Sequence, residues 1–269
     1  MRSPYSLALC ALLAQTALAQ ADSTAPSKTF FTKRDATLGV IALGVTGALS
    51  VFDVRIARGA QGSRFQSQSL TNFSTKVSKV NETTLTAAGI LTYGVARLTH
   101  ASTITDIALH ATESVVLSSV ASQLIRGPLG RTRPYVTHDS DQYKFKPFRG
   151  FIGDTTFDYR SFPSIHTSSS MAVATVLAME TNRRSPGATK FVAPLLYAAA
   201  LLPGLARIQL NQHWASDIAA GGFMGVMAGY KVTSYSHDHP DNRVDRFLLG
   251  TSVTPQPNGG YALSYSVPF

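Results

Sequence analysis

The sequence predicts an all-α fold, a helical bundle of about six helices with a long aromatic-rich loop and a C-terminal β-hairpin-like tail. Six segments rich in Ala, Leu, Val and Gly have helical character. One long connection, rich in Pro and aromatic residues, separates the third segment from the fourth. Apolar residues alternate with polar ones near the C-terminus. A chain of 269 residues is long enough for one such domain with its own core.

The first 19 residues have the pattern of a secretory signal peptide. Arg2 precedes an apolar run from Leu7 to Leu18, and Ala17-Leu18-Ala19 is a small-x-small cleavage pattern. We therefore expect an exported protein of the periplasm or cell envelope. Cys10 is the only cysteine and lies inside this segment, so we expect neither a disulfide nor a thiolate metal site in the mature chain.

The rest of the chain divides into three parts. Residues 20–34 are polar and predict a flexible lead-in. Residues 35–235 form the expected helical domain, and residues 236–269 form the tail. The tail is interpreted as a hairpin, with one strand over Phe247 to Thr254, a Pro-Asn-Gly turn, and a second alternating strand that ends at Phe269. The helical segments are expected at about 36–57, 73–98, 102–126, 166–181, 190–209 and 214–235.

The charge balance points to an anionic partner. The formal net charge is +9, which suits phosphate esters, acidic lipid surfaces or nucleic acid. Nucleic acid is disfavoured because the basic residues are scattered singly and form no continuous stripe.

The apolar segments bear on whether the chain inserts into a membrane. The uncharged run from Ala36 to Phe52 is barely long enough to span a bilayer, and three glycines weaken it. The third segment carries Asp106, His110 and Glu113, and the fifth contains two prolines. Polar and helix-breaking residues are costly in lipid, so the sequence favours a soluble or surface-associated bundle over an integral one.

Three polar clusters carry the chemistry. In the first, Arg126 and Arg133-Pro134 bracket a Gly/Pro turn at the end of a helix, and guanidinium groups match phosphate oxygens. In the second, Pro163-Ser164-Ile165-His166 begins a helix, where Ser164 caps it or binds an anion together with the first N–H groups. His166 would then lie beside that anion and could protonate a departing alkoxide.

The third cluster combines an arginine, a histidine and an aspartate. Arg207 is followed six residues later by His213, and Asp217 lies at i+4 from that histidine. On a helix the carboxylate can accept the Nδ1 proton and leave Nε2 as an oriented nucleophile. A single pair of this kind is more often a structural hydrogen bond, so the assignment depends on the three clusters together.

Taken together, the clusters resemble the tripartite signature of the superfamily that joins type 2 phosphatidic acid phosphatases, bacterial non-specific acid phosphatases and vanadium haloperoxidases. That signature is Lys-x6-Arg-Pro, then Pro-Ser-Gly-His, then Ser-Arg-x5-His-x3-Asp. The matching residues here are Arg133, Pro134, Pro163, Ser164, His166, Arg207, His213 and Asp217. The resemblance implies a helical bundle whose site is built from helix ends, a phosphohistidine intermediate on His213, and His166 as general acid.

Three positions depart from the signature. Arg126 stands where the family has lysine, Ile165 where it has glycine, and Ala206 where it has serine. Arg126 keeps the positive charge. Ile165 keeps its backbone N–H for the phosphate, but a β-branched side chain disfavours positive φ and adds bulk.

The sequence therefore predicts an exported phosphatase of phosphate monoesters or lipid phosphates, with no cofactor. His213, His166 and Asp217 are the expected catalytic residues. A vanadate-dependent haloperoxidase and a catalytically silent anion-binding envelope protein are the alternatives. The expected partners are a phosphorylated lipid or small phosphate ester and an envelope membrane surface. The expected phosphate-binding residues are Arg126, Arg133, Ser164, Ile165 and Arg207.

Two further features complete the prediction. The loop between Pro134 and Pro163 contains eight aromatic residues, and some are expected to form an apolar wall beside the phosphate. The sequence assigns no metal site. His110 and Glu113 are expected to be a packed polar pair, and the polar stretches that begin at His138 and at His237 are interpreted as loops.

Overall fold

The computed structural model describes residues 30–239, 242–255 and 261–265. The predicted signal peptide lies outside these residues. The all-α class is confirmed, since most of the described residues are helical. The helices are α1 (Lys33–Ser50), α2 (Asp53–Ala60), α3 (Gln68–Val77), α4 (Glu82–Leu98), α5 (Ser102–Leu129), α6 (Ile165–Arg184), α7 (Pro186–Gln209), α8 (Ala215–Asp238) and α9 (Arg243–Gly250).

The described residues thus form nine helices where the sequence predicts about six. The first predicted segment is divided into α1 and α2, which are bent by 58°. The second, expected as one helix over 73–98, is divided at Asn81. The Asn81 side chain accepts the backbone N–H groups of Thr83 and Thr84, both at 3.0 Å, and so caps α4. The prediction of one continuous helix over 73–98 is therefore wrong.

Helix α6 lies at the centre of the bundle and packs against α5, α7 and α8. The α6–α8 contact is close because glycines on α8 face backbone atoms of α6. A Cβ at Gly221 would lie 2.3 Å from the carbonyl oxygen of Ser164, and one at Gly225 would lie 2.1 Å from that of Ser168. The apolar core around this contact contains Met171, Ala174, Ala178, Tyr197, Ala200 and Val226.

Several helices expose large apolar side chains. On α7, Phe191 and Leu195 are more than two-thirds exposed. This helix is also long and apolar enough to cross a membrane. The bent pair α1 and α2 passes the same test when taken together. Apolar faces of this size are unusual on a monomer in water. Other exposed apolar residues are Val40, Ile41 and Leu43 on α1 and Ile90, Leu91, Val95 and Leu98 on α4.

The tail begins with helix α9, where the sequence predicts the first strand. Residues Phe247 to Gly250 are helical, so that part of the strand prediction is wrong. Strand β1 (Thr251–Pro255) follows and pairs antiparallel with β2 (Tyr261–Tyr265), with Val253 opposite Leu263. The predicted turn between the strands lies outside the described residues.

Candidate active site

Four helix ends meet around the three predicted clusters. Arg126 lies in the last turn of α5 and Arg207 in the last turn of α7. His166 is in the first turn of α6, and Asp217 is in the first turn of α8. A backbone hydrogen bond from Ser164 N to Asp217 O, 3.0 Å long, ties the starts of α6 and α8 together. Residues far apart in sequence are therefore brought to one end of the bundle.

His213 and Asp217 form the pair that the i, i+4 spacing predicts. His213 lies between α7 and α8, and its Nδ1 is 3.4 Å from Asp217 Oδ2. Both side chains are buried. Burial and the nearby Arg133 charge hold the pKa of His213 well below its usual value, against the effect of Asp217, so the imidazole is neutral at neutral pH. With the Nδ1 proton directed at Asp217, Nε2 carries the lone pair.

The Asp217 carboxylate is held as an anion. Its Oδ1 accepts from Arg131 Nη1 at 2.6 Å, and its Oδ2 accepts from Ser161 Oγ at 2.5 Å and from Trp214 N at 2.8 Å. Burial alone would raise the pKa of Asp217, but Arg131 and the hydrogen bonds from His213 and Ser161 lower it to about 2. The carboxylate is thus fixed in charge and in orientation.

The three predicted phosphate-binding arginines lie around the two histidines. Arg133 donates to the carbonyl oxygens of Phe157 at 2.8 Å and Gln212 at 2.6 Å, and Arg126 donates to that of Arg160 at 2.7 Å. Arg207 Nη2 donates to Gln212 Oε1 at 3.2 Å. Burial and the charges of the other arginines depress the pKa of Arg133. Arginines kept this close repel one another, and an anion relieves that repulsion.

Buried polar atoms without a hydrogen-bond partner occur on three of these residues. They are Nε2 of His213, Nδ1 of His166 and Nε of Arg207. The rings of His166 and His213 have their centroids 6.4 Å apart. An unpaired buried polar atom costs roughly 1–3 kcal/mol. Their shared location is typical of a site that binds a polar ligand.

His166 is neutral in this arrangement. Burial, and then the charges of Arg207, Arg126 and Arg133, lower its pKa to about 3. Its imidazole can therefore take a proton only when negative charge enters the pocket.

Ser164 and Ile165 stand at the start of α6. Ser164 is the N-cap residue, but its Oγ accepts from Thr167 Oγ1 at 3.1 Å and caps no backbone N–H. Ile165 begins the helix and is buried. It is not among the described residues with positive φ, so the backbone strain expected for a β-branched residue does not arise.

The aromatic loop touches the arginines of the site. The Phe157 ring lies 3.9 Å from the Arg133 guanidinium, in cation–π geometry, and is half exposed. Phe145 and Phe162 lie about the Arg131 guanidinium at 5.9 and 5.8 Å. Other loop rings, including Phe148 and Phe151, are exposed. Some of the predicted rings therefore line the arginines, and others form an exposed apolar rim.

Sequence reasoning missed the residues that support Asp217. Arg131 is buried and bridges Asp217 and Asp53, with its Nη2 2.8 Å from Asp53 Oδ2. Ser216 N also donates to Asp53, at 2.9 Å. Arg131 lies between the two predicted arginines, so its sequence position was visible. Its role depends on α2, which no local spacing connects to this cluster.

The fold and this site are those of a helical protein that gathers arginines and histidines at converging helix ends. The model of the PAP2 superfamily matches residues 107–241 of the chain. The chain belongs to this superfamily, the one that the three sequence motifs resemble.

Two lipid A 1-phosphatases are similar to part of the chain. A lipid A 1-phosphatase of Porphyromonas gingivalis is 38% identical over 69 residues, which are 26% of this chain and 15% of the relative. A lipid A 1-phosphatase of Rhizobium etli is 30% identical over 108 residues, 40% of this chain and 41% of the relative. The chain thus matches less than half the length of these curated relatives.

A solved structure has a similar fold. It is a transmembrane PAP2 type phosphatidylglycerolphosphate phosphatase from Bacillus subtilis, with a TM-score of 0.53 and 19% sequence identity. The match covers 77% of this chain and 97% of that one. At this identity the likeness concerns the fold alone.

Proposed function

We propose that the chain is a membrane-associated phosphatase that hydrolyses lipid phosphates through a phosphohistidine on His213. The observation that carries the proposal is the unpaired Nε2 of a buried, neutral His213, whose Nδ1 faces Asp217. A neutral imidazole with one oriented lone pair is a nucleophile, and the surrounding arginines favour a phosphoryl group as its target.

The reaction has two steps. His213 Nε2 attacks phosphorus, the bond from phosphorus to the ester oxygen breaks, and His166 gives its proton to the departing alkoxide. Water then attacks the phosphohistidine, His166 takes a proton from that water, and the N–P bond breaks to release inorganic phosphate. Asp217 keeps the Nδ1 proton in place and stabilises the charge that develops on His213.

Three guanidinium groups neutralise the phosphoryl oxygens. Arg126, Arg133 and Arg207 supply fixed positive charge, and the N–H groups at the start of α6, including that of Ile165, donate along the helix dipole. These donors act on charge that spreads over the equatorial oxygens in the transition state. Because the arginines meet this charge, we expect catalysis without a metal cofactor.

A lipid phosphate fits the surroundings of the site. The exposed apolar faces of α1, α4 and α7 would lie in the hydrocarbon of a membrane, and the net positive charge favours an anionic surface. The relatives named above act on lipid A and on phosphatidylglycerolphosphate, as their names state. With the predicted signal peptide, these features support an envelope membrane as the location.

An assay of phosphate release tests this function. The purified chain in detergent should hydrolyse phosphatidic acid and p-nitrophenyl phosphate in EDTA, and orthovanadate should inhibit by imitating the five-coordinate phosphoryl state. No phosphate release from either substrate would favour the silent anion-binding alternative. Activity that EDTA abolishes and added Mg²⁺ restores would contradict the metal-independent mechanism.

Phe157 offers a test of the lipid preference. Its exposed ring lies over Arg133, so Phe157→Ser removes apolar surface beside the phosphate site but keeps the carbonyl that accepts from Arg133. We expect KM to rise about 10-fold for phosphatidic acid, with a smaller rise for p-nitrophenyl phosphate. The matched control is Phe73→Ser, an equally exposed phenylalanine on α3. Equal rises for both substrates would mean that the ring only supports the loop.

A further inference from the structure

A second polar cluster lies at the other end of the bundle. His110 on α5, Glu180 on α6 and His237 on α8 bring one potential ligand atom each to within 4.8 Å of one another. His237 Nε2 is 2.6 Å from Glu180 Oε1, and the rings of His110 and His237 have centroids 5.7 Å apart. Glu180 is 14 residues beyond His166 on the same helix, so at 1.5 Å per residue the two positions are about 21 Å apart.

His110 is buried without the partners that a buried imidazole needs. It is 3% exposed, and neither of its ring nitrogens has a hydrogen-bond partner among the described residues. The carboxylate of Asp245 is 3.5 Å from Nε2, longer than an ordinary hydrogen bond, and Nδ1 lacks even this neighbour. Nδ1 of His110 therefore lacks the donor or acceptor that normally holds a buried imidazole nitrogen.

Four carboxylates lie around His110, and two of them, Glu180 and Asp245, are buried. Asp106, Glu113 and Asp245 act electrostatically on His110 or lie close to it, in addition to Glu180. Arg184, which pairs with Glu180, is the arginine of this group. Glu180 and Asp245 are the buried carboxylates among the described members of this group, and a divalent cation would offset the cost of burying their charge.

We propose that His110, Glu180 and His237 bind one divalent transition-metal ion of the Zn²⁺ type. Two imidazoles and a carboxylate are zinc ligands, whereas Mg²⁺ and Ca²⁺ prefer oxygen alone. Water or Asp245 takes the fourth position. His110 also belongs to a second group of potential ligands, with Glu113 and Asp245. Because both groups use His110, we expect one ion per chain.

The ion has a structural role that does not depend on the proposed function. It joins α5, α6 and α8, and Asp245 extends the group to α9. The His237 side chain is 25% exposed while Glu180 is 2% exposed, so the ion enters past His237. The stretch that begins at His237 is predicted as a loop, which is wrong for His237 and Asp238, because both lie in the last turn of α8. The sequence predicts no metal here because the ligands come from three helices and lack the short spacing of a metal motif.

Metal binding to the intact chain tests the proposal. The full chain, purified in detergent with an affinity tag that lacks histidine, is stripped with EDTA, dialysed and titrated with Co²⁺. We expect one equivalent to give the intense visible absorption of four-coordinate cobalt, and Zn²⁺ to displace it. Zn²⁺ at 100 times its dissociation constant should raise the ratio of folded to unfolded protein about 100-fold and raise the Tm accordingly.

Two substitutions separate this site from adventitious binding. His237→Gln should abolish the cobalt absorption and the Zn²⁺-dependent rise in Tm. His239→Gln, two residues further along the chain and outside the ligand set, should leave both unchanged. His213→Ala should also bind Co²⁺ normally, so failure of the phosphatase proposal would not affect this result.

Several outcomes would overturn the proposal. They are a Co²⁺ titration of the wild-type chain with no tight equivalent, a cobalt spectrum of six-coordinate form, or an equal Zn²⁺ effect in His237→Gln and wild type. If His237→Gln does not fold, the wild-type titration decides by itself. If the proposal holds, EDTA should lower the Tm of the wild-type chain without removing its phosphatase activity.

Discussion

His166 has to change its protonation state during the proposed reaction. Its pKa is about 3 in the pocket without substrate, because of burial and three arginines. A dianionic phosphoryl group placed among the same arginines would reverse the local field and raise that pKa. Binding of the phosphate therefore favours protonated His166, which can then act as the general acid. Without phosphate the imidazole stays neutral.

Substrates with different leaving groups test whether His166 is the general acid. With His166→Asn, hydrolysis of an alkyl phosphate should fall by roughly 10²–10⁴-fold, because the alkoxide needs a proton to leave. p-Nitrophenolate leaves without one, so this variant should give a rapid burst of p-nitrophenol followed by slow turnover. If the burst rate fell by the same factor as the rate of alkyl phosphate hydrolysis, His166 would only support the fold.

The same pKa shift predicts how stability depends on pH. An unfolded histidine titrates near 6.5, whereas folded His166 titrates at about 3, so the unfolded state binds more protons between these values. Stability from this residue is complete above pH 6.5 and is lost as the pH falls toward 3, by at most about 1.4 kcal/mol per pH unit. His213 shifts in the same direction.

Thermal unfolding in detergent checks this dependence. The Tm of the wild-type chain should fall between pH 6.5 and 4.5, and His166→Asn should show a shallower fall over that range. If the Tm of both proteins fell equally with pH, the His166 imidazole would not be buried in its neutral form.

At the scale of elements, the α6–α8 contact positions the proposed catalytic residues. Ser164 and His166 belong to the start of α6, and Asp217 belongs to the start of α8. Gly221 allows these two helix starts to approach, since a Cβ there would meet the Ser164 carbonyl oxygen at 2.3 Å. The distance between the two histidines therefore depends on a residue that contacts neither of them.

Gly221→Ala tests this dependence. The added methyl group must push α8 away from α6, and a displacement of about 1 Å at the reacting groups lowers kcat by about 100-fold. The control is Gly94→Ala on α4, where a Cβ has nothing within 4 Å, and activity should be unchanged. Retained activity in Gly221→Ala would mean that the helices adjust without moving the site.

The elements also show how far local sequence patterns reach. Apolar periodicity located six helical segments, but it did not reveal the break at Asn81, because a cap acts through hydrogen bonds rather than hydropathy. The His213 and Asp217 pair was predicted from i, i+4 spacing on one helix. The two side chains do face each other, but His213 precedes α8, which begins at Ala215. Arg131 was not recognised as its support, because the bridge to Asp53 joins residues 78 positions apart. The cluster of His110, Glu180 and His237 was not predicted for the same reason, because its residues lie on three separate helices.

For the whole molecule, the exposed apolar faces change the interpretation of the sequence. Charged and helix-breaking residues favoured a soluble or surface-associated bundle, but Asp106, His110 and Glu113 lie among polar neighbours inside the bundle. Pro194 and Pro203 lie within the continuous helix α7. The apolar side chains of α1, α4 and α7 remain exposed on the outer surface, as the proposed membrane association requires.

The central claim is that His213 becomes covalently phosphorylated, and rapid-quench trapping tests it most directly. Wild-type protein mixed with p-nitrophenyl phosphate and quenched in alkali should carry one phosphoryl group on His213 by peptide mass spectrometry, since phosphohistidine is stable in alkali and labile in acid. His213→Ala should fold, carry no phosphoryl group and lose at least about 10⁴-fold in kcat. A phosphorylated intermediate at another residue, or near-wild-type turnover by folded His213→Ala, would contradict the account.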